Sequence, residues 1–436
     1  MTRRGVALLL AAMLLGCDPG TQQPAPGKTV LEFWHSQKRQ NEDALEHVVA
    51  RFNKANPDYE IKLANLGSYT TLFQKLRAAV QADSLPDLGI AYESMVAELM
   101  QADCVVPLDP YIDHPEHGLP PEDQSDIFPS FLRSNRYPEF GGKLLSFPFT
   151  KSLLMLYYNA EILRAAGHHE PPATWAQFVQ QCRDIKAKTD KIPFAYSRDP
   201  SSFDSIILSL GGQLATHGGT RSALGSPQAV RALQLLHTLV ADGLATVIPL
   251  GSDDDRLHFS TGNAAFILRS STTRAYMRKD IVDPQSRDRF EWAMACPPVG
   301  DGQPKRTVLY GGNIVVFKST PERQRGAWEF IKFFITPETT AEWSVRTGYL
   351  PVRRSAADTK TLQHFFAQHP RNRTAFDTIP YGLREPSVAG WQEIRHYIHQ
   401  ALTRVVKAQA TPAAAAAELA RRADAELARM RQLKTP

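Results

Sequence analysis

The sequence predicts an α/β protein with at least two domains. Short apolar runs alternate with amphipathic helical stretches along the chain, which is the pattern of helices packed over sheets. The chain has 436 residues, whereas a single hydrophobic core stops growing at about 300 residues. A second core, and therefore a second domain, is expected.

The N-terminus has the features of an export signal. Arg3 and Arg4 precede an apolar run over residues 6–15, which is too short to span a bilayer. The run leads into Leu-Leu-Gly-Cys17, which resembles a bacterial lipobox, although its second leucine replaces the usual small residue. We predict a signal peptide over residues 1–16 and a lipid on Cys17. An ordinary signal peptide with an incidental cysteine is the alternative.

A flexible tether is predicted over residues 17–28. This stretch is rich in Pro, Gly and Gln and lacks apolar periodicity, so it cannot bury a core. Folded structure is expected from Thr29. No later segment offers the ~20 consecutive apolar residues that a membrane span needs. We therefore expect an exported protein, anchored through Cys17 to the outer face of the cell membrane, which faces the periplasm in a two-membrane cell.

Composition and motifs exclude several classes of function. The formal net charge is +5, and acidic and basic residues are interspersed rather than gathered in the basic stripe that nucleic-acid binders show. The chain lacks the His-Glu-x-x-His zinc motif, the Gly-x-Ser-x-Gly elbow and a phosphate-cradling loop. We therefore expect no enzymatic activity, no metal, no cofactor and no nucleic-acid partner.

The three cysteines after the predicted lipidation site are Cys104, Cys182 and Cys296. Their wide separations fit neither a metal site nor a dense disulfide framework. Packing of these cysteines in the core is the simpler interpretation. One disulfide with one leftover thiol is the alternative, and the sequence does not choose which two cysteines would pair.

Periodicity locates the main helices and strands. The first elements form a βαβαβ unit with a parallel sheet: strands over 30–34, 61–65 and 87–91, and helices over 41–56 and 70–82. A strand over 153–158 and helices over 161–166 and 175–188 follow, with Thr174 as the expected N-cap. The C-terminal third is predicted to be helical, over 321–335, over 391–406 and from residue 411 onward.

Short motifs spread over nearly the whole mature chain carry a resemblance to a known family. They include Phe33-Trp34-His35-Ser36, Gly67-Ser68-Tyr69, Leu156-Tyr157-Tyr158-Asn159, Pro171-Pro172-Ala173-Thr174-Trp175, Gly311-Gly312-Asn313 and Thr347-Gly348-Tyr349-Leu350-Pro351. The chain resembles the extracellular solute-binding proteins of ABC importers, most closely those of the glycerol-3-phosphate-binding type. Several of these motifs recur across sugar binders of the family, so they indicate the fold more than the ligand.

The resemblance implies a two-lobed periplasmic-binding-protein fold of type II, with two discontinuous α/β lobes, a three-segment hinge and the ligand in the cleft. Hinge crossings are expected near residues 147–150, 293–298 and 349–352. The first lobe would contain residues 29–147 and 299–348, and the second lobe residues 148–298 and 349–436. The resemblance also implies a monomer that delivers a small-molecule ligand to the permease subunits of an ABC transporter in the membrane.

The same resemblance nominates a ligand site. Tyr69 and Glu93 match the residues that hold the glycerol hydroxyls, since a carboxylate accepts two such bonds at once. Trp175 matches an aromatic residue that packs against the apolar face of the ligand. The residues that match the surroundings of the phosphate are Ser152, Ser270, the backbone N–H of Gly312, Tyr349 and Arg395. The implied ligand is glycerol-3-phosphate or a glycerophosphodiester.

Each nominated residue also has a purely structural interpretation. Trp175 could be a core residue at a helix start, and Arg395 could pair with Glu93 or Glu385, because a partly buried guanidinium needs an anion. Lys151 and the basic, hydroxyl-rich stretch 269–273 depart from the family pattern and would alter the size or charge of the pocket.

Three other functions compete with a glycerol phosphate binder. A disaccharide or oligosaccharide is the alternative ligand, but sugar sites usually offer several aromatic faces and carboxylates, whereas the nominated site opposes one carboxylate to one cation. A secreted phosphodiesterase or glycosidase is the competing enzyme class, and a glycosidase would need two carboxylates where only Glu93 is nominated. A structural surface lipoprotein would not need polar residues converging from both lobes.

Overall fold

The structure is a computed structural model that describes residues 27–433, except residues 284 and 286. The predicted signal peptide and Cys17 lie outside the described residues, as does the tether apart from residues 27 and 28.

The described residues form a mixed set of helices and strands, numbered in chain order. The strands are β1 (Thr29–His35), β2 (Tyr59–Asn65), β3 (Leu88–Ala91), β4 (Arg136–Tyr137), β5 (Lys143–Leu144), β6 (Phe147–Pro148), β7 (Ser152–Asn159), β8 (Ile192–Tyr196), β9 (Ala215–Thr216), β10 (Arg221–Ser222), β11 (Ala245–Val247), β12 (Ala264–Ser270), β13 (Trp292–Ala295), β14 (Thr307–Tyr310), β15 (Asn313–Val316) and β16 (Gly382–Arg384). The helices are α1 (Gln40–Ala55), α2 (Tyr69–Gln81), α3 (Glu93–Gln101), α4 (Asp109–Ile112), α5 (Pro121–Asp126), α6 (Pro129–Ser134), α7 (Ala160–Ala165), α8 (Trp175–Lys188), α9 (Pro200–Ser209), α10 (Pro227–Ala241), α11 (Asp254–Ser260), α12 (Thr273–Asp280), α13 (Pro321–Phe334), α14 (Pro337–Thr347), α15 (Lys360–Gln368), α16 (Arg371–Asp377), α17 (Trp391–Val406) and α18 (Pro412–Gln432).

A five-stranded sheet carries the N-terminal part of the fold, in the order β2-β1-β3-β15-β6. Strand β1 pairs in parallel with β2 and β3, which confirms the predicted βαβαβ start. Strand β15 comes from much later in the chain and pairs antiparallel with β3 and β6. We call this sheet and the helices packed on it, which include α1, α2, α13 and α14, the first lobe.

A seven-stranded sheet organises the second lobe, in the order β11-β8-β12-β7-β14-β16 with β13 also paired to β7. Successive residues of β7 point to opposite faces, because side chains alternate along a strand. Leu154 and Leu156 enter one core, and Leu153, Met155 and Tyr157 enter the other. The strand is therefore buried on both sides, as its continuous apolar sequence requires. The two sheets with their helices confirm the predicted two-lobed α/β fold.

Local sequence signals place two helices of the second lobe. Helix α8 begins after Thr174, whose hydroxyl accepts from the N–H of Gln177 while the Gln177 side chain accepts from the N–H of Thr174. This reciprocal capping box fixes the helix start. Helix α17 buries the predicted apolar stripe of Trp391, Ile394, Ile398, Leu402 and Val405. Both helices have the predicted bounds.

The chain passes between the lobes at strand ends. Strand β6 belongs to the first sheet and β7 to the second, so the segment between them crosses from lobe to lobe. A second crossing lies at Gly311-Gly312, between β14 in the second sheet and β15 in the first. The predicted crossing at residues 293–298 is wrong, because β13 and β14 both pair with β7 and the chain between them stays in the second lobe. The predicted boundary at residue 299 therefore moves to residue 311.

The third passage between the lobes is longer than predicted. The N–H of Leu350 donates to the carbonyl of Lys151 over 2.8 Å, beside the first crossing. Beyond it, Leu362 and Phe365 of α15 pack against Ala341 of α14, which keeps this part of the chain on the first lobe. Helix α16 then contacts β13 of the second lobe. The predicted start of the second lobe at residue 349 is therefore too early.

The three described cysteines are free thiols. Cys104 and Cys182 are buried, which confirms core packing for these two, while Cys296 is half-buried. Burial raises the pKa of the Cys104 and Cys296 thiols to about 11. Within residues 27–433, leaving aside the two undescribed positions, no helix is long and apolar enough to span a bilayer, and no group of three His, Cys, Asp or Glu side chains is placed to hold a metal ion.

Candidate ligand-binding site

A cavity of about 250 Å³ lies between the two lobes. Its first-lobe wall is the junction of β3 and α3, at the carboxyl end of a strand, where ligand crevices of open α/β sheets form. Its second-lobe wall combines the start of α9, the end of β14, the segment after β16 and the first turns of α17. The lining residues are Tyr92, Glu93, Ser94, Asp199, Ser201, Leu309, Tyr310, Glu385, Pro386, Trp391, Gln392 and Arg395.

The lobes touch across this cleft. The side-chain amide of Gln392 in α17 donates to the hydroxyl of Ser94 in α3 over 2.9 Å. Away from the cavity, the ammonium group of Lys279 in α12 donates to the side-chain oxygen of Gln40 in α1, also over 2.9 Å. The structure thus presents the lobes with their facing surfaces in contact.

Arg395 is the guanidinium on the second-lobe wall, and its side chain is 23% exposed. Nη1 and Nη2 each donate to the hydroxyl of Ser201 over 3.1 Å, and Nη1 also donates to Glu385. Asp199 and Asp204 lie 3.6 and 4.0 Å from the same guanidinium. Burial by itself lowers the pKa of Arg395, but the three carboxylates raise it above its ordinary value. The structure therefore contains the predicted structural alternative, a pair with Glu385.

Asp204 lies behind this wall, with its side chain fully buried. Its carboxyl group lies close to that of Glu385, and the two groups interact. Burial and the negative charge of Glu385 raise the pKa of Asp204 well above its ordinary value, against the opposing effect of Arg395. Asp204 is therefore the carboxyl group of this cluster that most readily holds a proton.

Glu93 is the carboxylate on the first-lobe wall, at the first residue of α3. Its Oε1 accepts from the ammonium group of Lys151 over 2.7 Å, and the side chain of Lys151 is fully buried. Arg269, the other added cation in the predicted site region, donates to Asp255 over 2.6 Å and to Asp253 over 2.9 Å. Lys151 and Arg269, the two cations that depart from the family pattern, are thus each paired with a carboxylate.

The predicted residues Tyr69, Gly312 and Tyr349 meet beside the cavity. The ring of Tyr69 stacks on that of Tyr92, a lining residue, with centroids 4.5 Å apart. The hydroxyl of Tyr69 lies 3.1 Å from that of Thr150, which also accepts from the N–H of Gly312 over 2.8 Å. Burial raises the pKa of Tyr349 well above its ordinary value, and Tyr69 and Tyr92 add to this shift. The amide of Gly312 is therefore already engaged by a hydroxyl of the hinge.

Ser152 lies on β7, the strand next to Tyr310, and Ser270 lies on β12, on the other side of β7. The hydroxyl of Ser152 is 3.4 Å from the Tyr310 carbonyl, and Ser152 is the strand partner of Tyr310. The hydroxyl of Ser270 is 2.8 Å from that of Thr272, and Ser270 lies close enough to Tyr310 to lower the pKa of its hydroxyl slightly against the raising effect of burial. Neither serine lines the cavity itself.

Trp175 lies away from the other nominated residues. Its ring packs against Phe178 in the core of the second lobe, with 6% of the residue exposed. Its indole N–H donates to the hydroxyl of Ser209 over 2.9 Å. The structure thus gives Trp175 the position of a core residue at a helix start, which is the alternative considered from the sequence.

Sequence reasoning missed most of the cavity lining. Asp199 and Ser201 occur in Asp-Pro-Ser, a signal for a helix N-terminus, and Asp199 indeed accepts from the N–H of Ser201 at the start of α9. The expectation of a single carboxylate in the site is wrong, because Asp199 and Glu385 line the cavity together with Glu93. The three carboxylates are far apart along the chain, so no local sequence pattern could show that they meet in one cavity.

A second cavity of about 550 Å³ adjoins the first and shares Glu385 and Pro386 with it. One wall of this cavity is the connection between β4 and β5, which contains Pro138. The opposite wall is the β9–β10 ribbon of the second lobe. The cleft therefore has a small chamber and a larger one, separated by the segment after β16.

Comparisons with known proteins agree with this architecture. The sn-glycerol-3-phosphate-binding periplasmic protein UgpB of Yersinia pestis bv. Antiqua (strain Antiqua) is 26% identical over 430 residues, which cover 93% of each chain. The sugar-binding protein MalE of Xanthomonas citri is 25% identical, with a TM-score of 0.81 and coverage of 93% of this chain and 98% of the other. UgpB of Mycobacterium tuberculosis, solved with glycerophosphocholine, is 22% identical, with a TM-score of 0.76 and coverage of 92% and 99%.

These relatives are binding components that serve transport and are not enzymes. The family model described as bacterial extracellular solute-binding protein matches residues 47–373. With two lobes, a chambered cleft between them and this match over most of its length, the chain belongs to the bacterial extracellular solute-binding protein family.

Proposed function

We propose that this protein captures a glycerol phosphate ester, either glycerol-3-phosphate or a glycerophosphodiester, in the small chamber between its lobes. It then releases the ester to the permease subunits of an ABC importer. Because one chain supplies both walls of the chamber, a monomer is sufficient to bind the ligand. The sequence similarity to the glycerol-3-phosphate-binding relatives over 93% of the chain supports the choice of ligand.

The observation that carries the proposal is a set of unused donors on the second-lobe wall. Arg395 makes three N–H donations, to Ser201 and Glu385, and a guanidinium has five N–H groups. A phosphate offers the acceptors that such donors need, and a guanidinium binds it with charge-assisted hydrogen bonds. Glu93, on the opposite wall, can accept from glycerol hydroxyls.

The two chambers also suit an ester of variable length. The small chamber of about 250 Å³ lies below the roughly 300–1,000 Å³ typical of drug-sized ligands. A compact glycerol phosphate matches this size. The group esterified to a phosphodiester would pass Glu385 and Pro386 into the larger chamber.

A carbohydrate is the second candidate ligand, and the cavity lining favours it in one respect. Three carboxylates and the rings of Tyr92, Tyr310 and Trp391 meet in the small chamber. Aromatic faces and carboxylates are the groups with which sugar sites hold rings and hydroxyls.

Calorimetry of the soluble domain decides between these ligands. We expect glycerol-3-phosphate or glycerophosphocholine to bind with a dissociation constant in the micromolar range or below, and maltose and trehalose to give no heat of binding. Both phosphate esters should be recovered unchanged. Binding of a sugar alone would replace the proposed ligand with the second candidate.

We further propose that Cys17 carries a lipid that holds the protein at the outer face of the cell membrane. Replacement of Cys17 by Ala should move the protein from the membrane fraction to the soluble fraction, because no other anchor is expected in the mature chain. Retention of the Cys17→Ala variant in the membrane fraction would refute the lipid anchor.

A further inference from the structure

Lys151 lies where the three passages between the lobes come together. It belongs to the first crossing, and its carbonyl accepts from Leu350 in the third passage. At the second crossing, a Cβ on Gly311 would lie 3.2 Å from the Cα of Lys151. The ammonium group of this fully buried side chain reaches out of the hinge to Glu93 on the cavity wall, over 2.7 Å. Lys151 therefore connects the hinge directly to the carboxylate of the cleft.

The other titratable groups that act on Glu93 are few. Arg384 of β16 and Tyr137 of β4 interact with its charge, as does Tyr92 beside it. The guanidinium of Arg384 is already bonded to the carbonyls of Arg133, Ser134 and Arg136. Burial lowers the pKa of Lys151, and the charge of Glu93 acts in the opposite direction. Lys151 is thus the one cation hydrogen-bonded to Glu93 among the described residues.

We propose that Lys151 is a positioning residue that sets the charge preference of the cleft. It neutralises Glu93 and holds its carboxylate at the cavity, so the first-lobe wall accepts hydrogen bonds without repelling an anionic ligand. The physical reason is that a carboxylate in a site of low polarity repels a second anion much more strongly than it would in water. The proposal rests on the proposed glycerol phosphate function of the same cavity.

The test compares glycerol-3-phosphate affinity at pH 5.5 and pH 8.5 in four proteins: wild type, Lys151→Met, Lys151→Gln and the double variant Lys151→Met with Glu93→Gln. Without the ammonium group, Glu93 repels the anionic ligand while its carboxylate is ionised, and adding a proton to this carboxylate relieves the repulsion. The affinity at pH 5.5 divided by the affinity at pH 8.5 should therefore be about 10-fold higher in both single variants than in wild type. Titration of the ligand phosphate acts in the same direction, because an unpaired Glu93 repels a dianion more strongly than a monoanion.

The double variant is the matched control. It binds more weakly because the carboxylate acceptor is gone, but its pH ratio should equal that of wild type, since neither charge remains. Lys151→Gln keeps a hydrogen-bond donor for Glu93 but removes the charge, so it separates the effect of charge from that of orientation. Because Glu93 keeps a hydrogen-bond partner, we expect this variant to be more stable than Lys151→Met.

Each outcome has a distinct meaning. Single variants that bind with the wild-type pH ratio would overturn the proposal, and so would single variants that fail to fold beside a folded double variant, because Lys151 would then serve stability alone. Wild-type protein that binds no glycerol phosphate ester would instead refute the proposed function.

Discussion

Replacing Arg395 with Ala should weaken glycerol-3-phosphate binding by roughly 30-fold to several thousand-fold. Truncating one partner of a buried, hydrogen-bonded charge pair costs about 2–5 kcal/mol, and about 1.4 kcal/mol corresponds to a factor of ten in affinity. Arg395→Lys should recover only part of the loss, because an ammonium group keeps the charge but lacks the planar fork of donors. Calorimetry of the three proteins measures the effect.

The same substitution should also lower the melting temperature. Arg395 is the cation paired with Glu385, and removing it leaves that carboxylate uncompensated beside the buried Asp204. A lower melting temperature alone would fit a purely structural role. Near-normal affinity of a folded Arg395→Ala protein for glycerol-3-phosphate would remove Arg395 from the site and, with it, most of the case for an anionic ligand.

Replacing Gly311 with Ala should lower the free energy of unfolding more than any other substitution proposed here. Gly311 has φ of +125°, and a Cβ there would lie 1.8 Å from the carbonyl oxygen of Thr150. The left-handed backbone costs about 1–2 kcal/mol for any other residue, and overpacking adds about 1–3 kcal/mol. Since the clash is with backbone at the hinge, side-chain rearrangement cannot relieve it. We expect a loss of roughly 2–5 kcal/mol, measured from the shift of the urea midpoint.

Gly251 is the matched control for this substitution. Its φ is +77°, and a Cβ there would meet no atom within 4 Å. Gly251→Ala should therefore show only the conformational cost, about 1–2 kcal/mol. Equal losses in the two variants would contradict the close approach of the two crossings at Gly311.

The regular elements could be predicted because their signals are local. The stripe of α17 and the capping box at Thr174 each lie within a few turns of one helix, so periodicity and spacing locate them. The second crossing could not be placed in the same way, because long-range strand partners decide that β13 and β14 join one sheet and β15 the other. The apolar sequence of a strand does not specify which sheet it joins.

The candidate site was predictable only in part, for the same reason. Resemblance pointed to Glu93 and Arg395, which do line the cavity, but Trp175 lies in the core of the second lobe. The charged groups that pair with Glu93 and Arg395 come from distant parts of the chain. Lys151 is 58 residues from Glu93, and Asp199, the N-cap residue of α9, approaches Arg395 from outside its own helix. Pairings of this kind depend on the folded chain.

The measurement that tests the central claim most directly is the glycerol-3-phosphate affinity of Glu385→Gln compared with wild type. Glutamine can keep the hydrogen bonds to Arg395 and Ser201, but it removes a negative charge that competes with a phosphate for the guanidinium. We expect binding to tighten by roughly 3- to 10-fold, which corresponds to about 0.7–1.4 kcal/mol. Unchanged or weaker binding of glycerol-3-phosphate, with a sugar bound by wild type and lost in the variant, would show that Glu385 accepts ligand hydroxyls and that Arg395 does not hold a phosphate.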